Sequence, residues 1–348
     1  MQERITATLD RFRRLPKVEL HRHLEGSLRL TTMLDIARQH NIPIPDDVFG
    51  LSNLVQIQDD ESFSFRNFLS KFDTLRLFYR SPEVIERITR EAVEDAARDN
   101  VRYMELRFTP VALSRAERFP LNEVMDWVIA ASQAAAVEFN MVVRLIPSVN
   151  RHESPELAEQ VVWLAAERRD AGVVGVDLAG NEAEFPSEPF FAIFREARQA
   201  GLPLAVHAGE WGPAANVRQA IEQMGAARIA HGVRVLEDAS VTALARERSI
   251  PFEVCVTSNY QSGVVPQPGS HPLPRMLEAG LIVTVNTDDP SVSRITLSHE
   301  YHVVCDALGV SADTLRSSIL AAGEAAFLDP GGRRDLVGAL KSELPPAP

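Results

Sequence analysis

The chain has 348 residues, 45% of them hydrophobic and 24% charged, a globular composition long enough for two domains or one large barrel. Its formal net charge of −12 argues against a nucleic-acid partner, which calls for a basic face, and no apolar run approaches the roughly 20 residues that span a bilayer. Cys255 and Cys305 are far apart with no C-x-x-C spacing, so neither a disulfide framework nor a thiolate metal site is expected. The stretch Met1 to Pro16 is charged throughout and lacks a signal peptide's apolar core, so a cytoplasmic, reducing location is the expectation.

Lys17-Val18-Glu19-Leu20 reads as a strand leading into His21-Arg22-His23-Leu24-Glu25-Gly26-Ser27. Side chains alternate along a strand, so His21 and His23 share a face and both imidazoles can reach one point. Thr31 to His40 has helical spacing, which Pro43 and Pro45 break. Residues 61 to 80 hold five of the 16 phenylalanines, Phe63, Phe65, Phe68, Phe72 and Phe78, on a helical pattern. That stripe suits either a helix packed on the core or an apolar lid over a flat aromatic ligand. Pro82 to Asn100 repeats apolar residues at spacings of three and four, another helix.

From residue 101 strands and helices alternate. Strands are predicted at Val101 to Phe108, Met141 to Ile146, Val173 to Leu178, Leu202 to His207, Arg228 to His231, Pro251 to Val256 and Leu281 to Asn286. The helices between them are predicted near Leu121 to Phe139, Pro155 to Arg169, Pro189 to Ala200, Ala214 to Gly225, Asp238 to Arg248 and Pro272 to Ala279, with a last one near Leu297 to Leu308. With the first strand this makes eight units, which predicts an α/β fold, a (β/α)8 TIM barrel with extra helices between the first and second strands. No G-x-G-x-x-G follows a strand, which disfavours a doubly wound sheet. One domain is expected over residues 1 to 348, with a Pro-rich, disordered tail from 343 to 348.

Barrels of this kind carry chemistry where strands end. Four of the nine histidines fall at such ends: His21, His23, His207 in His207-Ala208-Gly209-Glu210, and His231. The remaining five, His40, His152, His271, His299 and His302, lie in helices or loops and read as surface or cap residues. The last strand runs into Thr287-Asp288-Asp289-Pro290. His21, His23, His207 and Asp288 offer three imidazoles and a carboxylate, a set that suits zinc with a position open for water. Glu210 is placed to move protons, His231 to orient the water or take its proton, and Asp289 to read a substrate edge. Glu25 and Gly180 also admit a structural carboxylate and a turn glycine.

These segments, with Asp177-Leu178-Ala179-Gly180-Asn181-Glu182 and Asn286-Thr287-Asp288-Asp289-Pro290, resemble the adenosine deaminase family, collinearly from about residue 16 to residue 330. The resemblance implies one zinc per chain on His21, His23, His207 and Asp288. It implies catalytic roles for Glu210 as proton donor to the purine ring, for His231 in positioning water, and for Asp288. It places substrate contacts at His23, Glu25, Gly180 (through its backbone) and Asp289, and matches segment 61 to 80 to the family's lid. Glu25 stands where adenosine deaminases commonly have Asp, as in relatives acting on adenine or aminofutalosine, and Val256 replaces a usual proline.

The implied reaction is hydrolytic deamination of a 6-aminopurine, adenosine or 2'-deoxyadenosine, in purine nucleotide metabolism. Free adenine and aminofutalosine are alternative substrates, and a non-catalytic purine-binding barrel is the non-enzyme alternative. A small-molecule purine is the partner, with neither nucleic acid nor membrane; oligomeric state is left open. A dinuclear amidohydrolase generally bridges its metals with a lysine at the end of strand four, where this chain has Asp-Leu-Ala-Gly. The H-x-E and P-C-x-x-C pair of nucleic-acid base deaminases is also missing.

Overall fold

The computed structural model describes residues 9–345. Its eight parallel strands follow one another around a single sheet: β1 Lys17–His23, β2 Val101–Phe108, β3 Val142–Asn150, β4 Val176–Ala179, β5 Leu204–Ala208, β6 Arg228–His231, β7 Pro251–Val254 and β8 Ile282–Val285. Strand order equals chain order, and helices cover the outside, which is the (β/α)8 arrangement. The helices Leu30–His40, Phe65–Leu75 and Pro82–Arg98 fill the interval between β1 and β2, as expected, and a further one, Val48–Val55, had no predicted counterpart.

The seam between β8 and β1 closes at the rim through backbone bonds of Asp288. Its N–H donates to the His21 carbonyl at 3.0 Å, and its carbonyl accepts the His23 N–H at 2.8 Å. Arg22 and Asp288 form the parallel bridge there. Lower down, Glu19 Oε1 accepts the Thr287 backbone N–H at 2.8 Å, and Asn286 Oδ1 accepts the Leu20 N–H at 2.8 Å.

β1 ends in His21 and His23, as expected. Other element boundaries differ from expectation at informative places. β3 runs past Pro147 to Asn150, because Ser148, Val149 and Asn150 pair with Asp177, Leu178 and Ala179 of β4. β4 begins only at Val176. Gly175, just before it, is packed so closely that a Cβ would sit 2.8 Å from the Pro203 carbonyl. The Phe-rich stretch is shorter than predicted: Ser64 caps it by accepting the Asn67 N–H, the helix spans Phe65–Leu75, and a 3-10 turn follows at Arg76–Phe78. The helices starting at Ala214 and Leu297 each pass into a π turn, Ala220–Met224 and Val303–Ala307. At the C-terminus, the helix Pro330–Glu343 continues into Leu344, which is buried, while residues 346–348 lie outside the described residues.

The barrel interior departs from the usual filling of branched apolar side chains. Arg107 and Arg228 are fully buried. Glu105 pairs with Arg228, Arg228 with Glu253, Glu253 with Arg107, and Arg107 Nε lies 3.4 Å from Asp177 Oδ2. Charges thus alternate along the barrel and neutralise one another, the condition for burying them at all. Burial acts to raise the Glu253 carboxyl, but Arg107 and Arg228 outweigh it and hold that group well below the ordinary carboxylate range. Two members of this ladder, Glu253 in its middle and Asp177 at its end, present fixed carboxylates to the rim histidines.

Candidate active site

The rim residues are built on that ladder. His21 and His23, two apart on β1, turn their Nε2 atoms to within 3.2 Å of each other. Asp288 Oδ1 lies 3.1 Å from His21 Nε2 and 3.4 Å from His23 Nε2. The His207 ring centres 4.7 Å from that of His21 and 5.4 Å from that of His23. His21, His207, His231 and Asp288 each bring a ligand-capable atom within 4.8 Å of one another, and all are buried.

Behind the histidines, Glu253 Oε2 is 3.2 Å from His21 Nδ1, and Asp177 Oδ1 is 3.0 Å from His207 Nδ1. A carboxylate on Nδ1 draws the ring proton to that side and leaves the Nε2 lone pair free to ligate. Two nitrogens bound tetrahedrally at about 2.0–2.1 Å from zinc stand about 3.3 Å apart. The donor set therefore fits one zinc ion. Burial leads the shift that lowers His23 well below the usual imidazole value, so this ring is neutral. For His21, burial and Arg107 push down, but hydrogen bonds to Asp288 and Glu253 outweigh them and raise its pKa.

The backbone is strained here. Asp288 has φ +65° and His231 has φ +58°, a left-handed region that L residues occupy only when the surroundings enforce it. The seam bonds enforce it at Asp288. Ser258 Oγ, 2.7 Å from Asp288 Oδ2, orients the other carboxylate oxygen.

A pocket opens above this cluster. His23, Glu25, Gly180, His207, Glu210, His231, Asp288 and Asp289 all line it. His21 lies beneath, fully buried. Phe68, Leu69 and Phe72 from the Phe-rich helix supply an apolar wall, with Trp211 nearby. The same helix buries Phe68 to 2% exposure, so core packing and pocket wall are two faces of one element. Phe63 and Phe65 instead meet Tyr260 and Trp211, at ring separations of 4.8 and 5.6 Å.

Two carboxyls facing the pocket are held above the ordinary carboxyl range by their surroundings. Burial, then Asp288 and Glu182, raises Glu210 well above the ordinary carboxyl range. Burial, then Asp288 and Glu25, does the same to Asp289. Burial raises Glu25 as well, against a hydrogen bond from the Thr109 backbone N–H. Glu25 Oε2 and Asp289 Oδ1 are buried with no hydrogen-bond partner among the described residues. Gly180 turns with φ +89°, exposing backbone to the pocket.

Several positions carry more than the sequence reading gave them. Asp177 and Glu253 fix the rings of His207 and His21 through Nδ1. Glu182 accepts the backbone N–H groups of Gly209, Glu210, Trp211 and Gly212 at 2.7 to 3.1 Å, clamping the loop that carries Glu210. His271 is no surface or cap residue: it is 4% exposed, and its Nε2 lies 3.2 Å from Asn259 Oδ1. The available signal was a charged residue at inward positions of otherwise apolar strands, as in Glu105 and Arg107 of β2.

The family model for adenosine deaminase matches residues 16–343. The chain belongs to the adenosine deaminase family. The adenosine deaminase of Salmonella paratyphi C is 37% identical over 325 residues, 92% of this chain and 96% of that one. Among solved structures, an amidohydrolase from Burkholderia ambifaria with bound Zn superposes with a TM-score of 0.88 at 28% identity, over 96% of this chain and 92% of that one. Adenine deaminase from Arthrobacter aurescens gives 0.87 at 26% identity, over 94% and 98%. Among the described residues no helix is long and apolar enough to cross a membrane.

Proposed function

We propose that this member of the adenosine deaminase family hydrolyses adenosine and 2'-deoxyadenosine to inosine and 2'-deoxyinosine with release of ammonia. One zinc ion held by His21, His23, His207 and Asp288 would supply the activated water. The observation that carries the reading is the convergence of His21, His23, His207 and Asp288 beside Glu210, whose carboxyl is held above the ordinary range, in one apolar-walled pocket.

Glu210 gives its proton to the ring nitrogen beside the carbon bearing the amino group, which makes that carbon electrophilic. The water oxygen adds to the carbon while Asp288 takes one of its protons and returns it to Glu210; the second proton passes to the amino group, which leaves as ammonia, and a carbonyl remains. Asp289, protonated, donates to a ring nitrogen on the far edge of the purine. His23, Glu25 and the Gly180 backbone complete the substrate contacts, and Phe68, Leu69 and Phe72 cover the rings and exclude bulk water. General acid help of this kind contributes about 10²–10⁴-fold. The catalytic unit is one domain, works in the cytoplasm, and takes a small purine rather than nucleic acid or membrane lipid.

A second reading, deamination of free adenine, is favoured by Glu25, whose Oε2 stands unpartnered in the pocket. Loss of purine absorbance and ammonia release, measured on the zinc-loaded chain with adenosine, deoxyadenosine, adenine and aminofutalosine, separates these. Fastest turnover of adenosine supports the proposal; preference for adenine establishes the second reading. No ammonia from any of them, with one zinc bound per chain, refutes both.

A further inference from the structure

His231 can serve as donor or acceptor in the site, depending on which ring nitrogen carries its proton. Its surroundings decide the matter, starting from a backbone amide whose direction cannot be reversed. The Leu273 N–H donates to Nδ1 of His271 at 3.1 Å. Burial lowers the His271 pKa to about 3, so this ring is neutral. With Nδ1 accepting, its one ring proton sits on Nε2. That N–H meets Asn259 Oδ1 at 3.2 Å, which sets the orientation of the amide and turns its NH2 group the other way. The NH2 lies 3.1 Å from Nδ1 of His231 and 3.5 Å from Oε1 of Glu210. The opposite polarity would press an N–H of His271 against the Leu273 N–H inside the protein, leaving buried donors without acceptors.

We propose that His271 and Asn259 form a positioning relay that holds His231 with its proton on Nε2, the nitrogen facing Glu210 Oε2 at 3.6 Å and Asp288 Oδ2 at 3.8 Å. Neutral His231 is then a hydrogen-bond donor to the oxygen that attacks the purine, and it is not the base that takes the water's proton. Neither relay residue touches substrate; both act through His231. The two residues come from the loop before the helix Leu273–Glu278 and from the helix Val256–Gln261, so the arrangement depends on the tertiary fold.

The kinetic test rests on the deaminase reading, whereas a spectroscopic test does not. In the zinc-loaded chain with ¹⁵N-labelled histidine, long-range ¹H–¹⁵N correlation should show His231 Nδ1 as a pyridine-type nitrogen and Nε2 as a pyrrole-type one, the resonances being assigned by their loss in a His231→Gln variant. The reverse pattern, or both nitrogens protonated, overturns the relay. Kinetically, His271→Gln keeps a donor for Asn259 and should hold kcat for adenosine within about threefold, while His271→Phe removes it and should lower kcat by about tenfold or more at nearly constant KM. Equal kcat values in the two variants also overturn it. If the Phe variant fails to fold, or the parent chain does not act on adenosine, the nitrogen pattern of the parent alone decides.

Discussion

Glu253→Gln tests whether the charge ladder in the barrel sustains the rim. In the parent, Oε1 accepts from Arg228 Nε, while Oε2 accepts from Arg107 and lies 3.2 Å from His21 Nδ1. A glutamine of the same shape has one acceptor oxygen, so whichever way it turns, its NH2 faces an N–H donor. The substitution also leaves two buried guanidinium groups sharing less negative charge. Breaking a buried pair in this way costs about 3–5 kcal/mol. For a chain of 348 residues that corresponds to a fall in Tm of about 4–7 °C. Loss of the carboxylate behind His21 should further weaken zinc by about 10–100-fold. Differential scanning calorimetry of the zinc-free chain reads the first effect, and zinc competition against a chelator reads the second. A variant whose Tm and zinc affinity both match the parent would refute the claim that Glu253 holds the ladder and the ligand together.

Glu210→Gln should retain one zinc per chain, counted by atomic absorption, yet lose about 10²–10⁴-fold in kcat; near-parent turnover would remove Glu210 from the proton-donor role. Gly26→Ala places a Cβ 1.9 Å from Asp289 Oδ1, so Asp289 must move. A displacement of that order should cost about 10²-fold in kcat/KM for adenosine with zinc content unchanged. His271 also predicts an acid dependence of stability. Burial lowers its folded pKa to about 3 from the ordinary imidazole value of 6.5, so as pH falls the unfolded chain takes up this proton first. The stabilisation is complete above pH 6.5 and is lost progressively toward pH about 3, by up to about 1.4 kcal/mol per pH unit. Urea midpoints followed from neutral to acid pH should therefore fall less steeply in His271→Gln than in the parent. Parallel slopes would show that His271 is not held neutral.

Much of the architecture was legible because it rests on local signals. Apolar alternation and helical spacing marked all eight strands and a helix between each successive pair, and each of these survived even where its ends moved, whereas the short helices Val48–Val55, Pro110–Ser114 and Val256–Gln261 had no predicted counterpart. The ends moved where neighbours, not local preference, set them: β3 crosses Pro147 because β4 offers partners beyond it. The candidate site was equally visible at the level of residue type, since histidines and acids cluster at strand ends. The mistaken placement of His271 has a plain cause. Nothing in His271-Pro272 tells whether the imidazole meets water or the Asn259 amide brought from another loop.

The amino-acid sequence alone determined the (β/α)8 plan, because period and punctuation act over a few residues. It also determined which charged and imidazole groups stand at the rim, because such a barrel carries its chemistry where strands end. Tertiary structure alone decided the electrostatics. Whether Glu210 is an acid or a carboxylate depends on burial beside Asp288 and Glu182, and which nitrogen of His21 or His207 is free depends on Glu253 and Asp177. These are interactions over a few ångströms between residues far apart in the chain, and no local pattern encodes them.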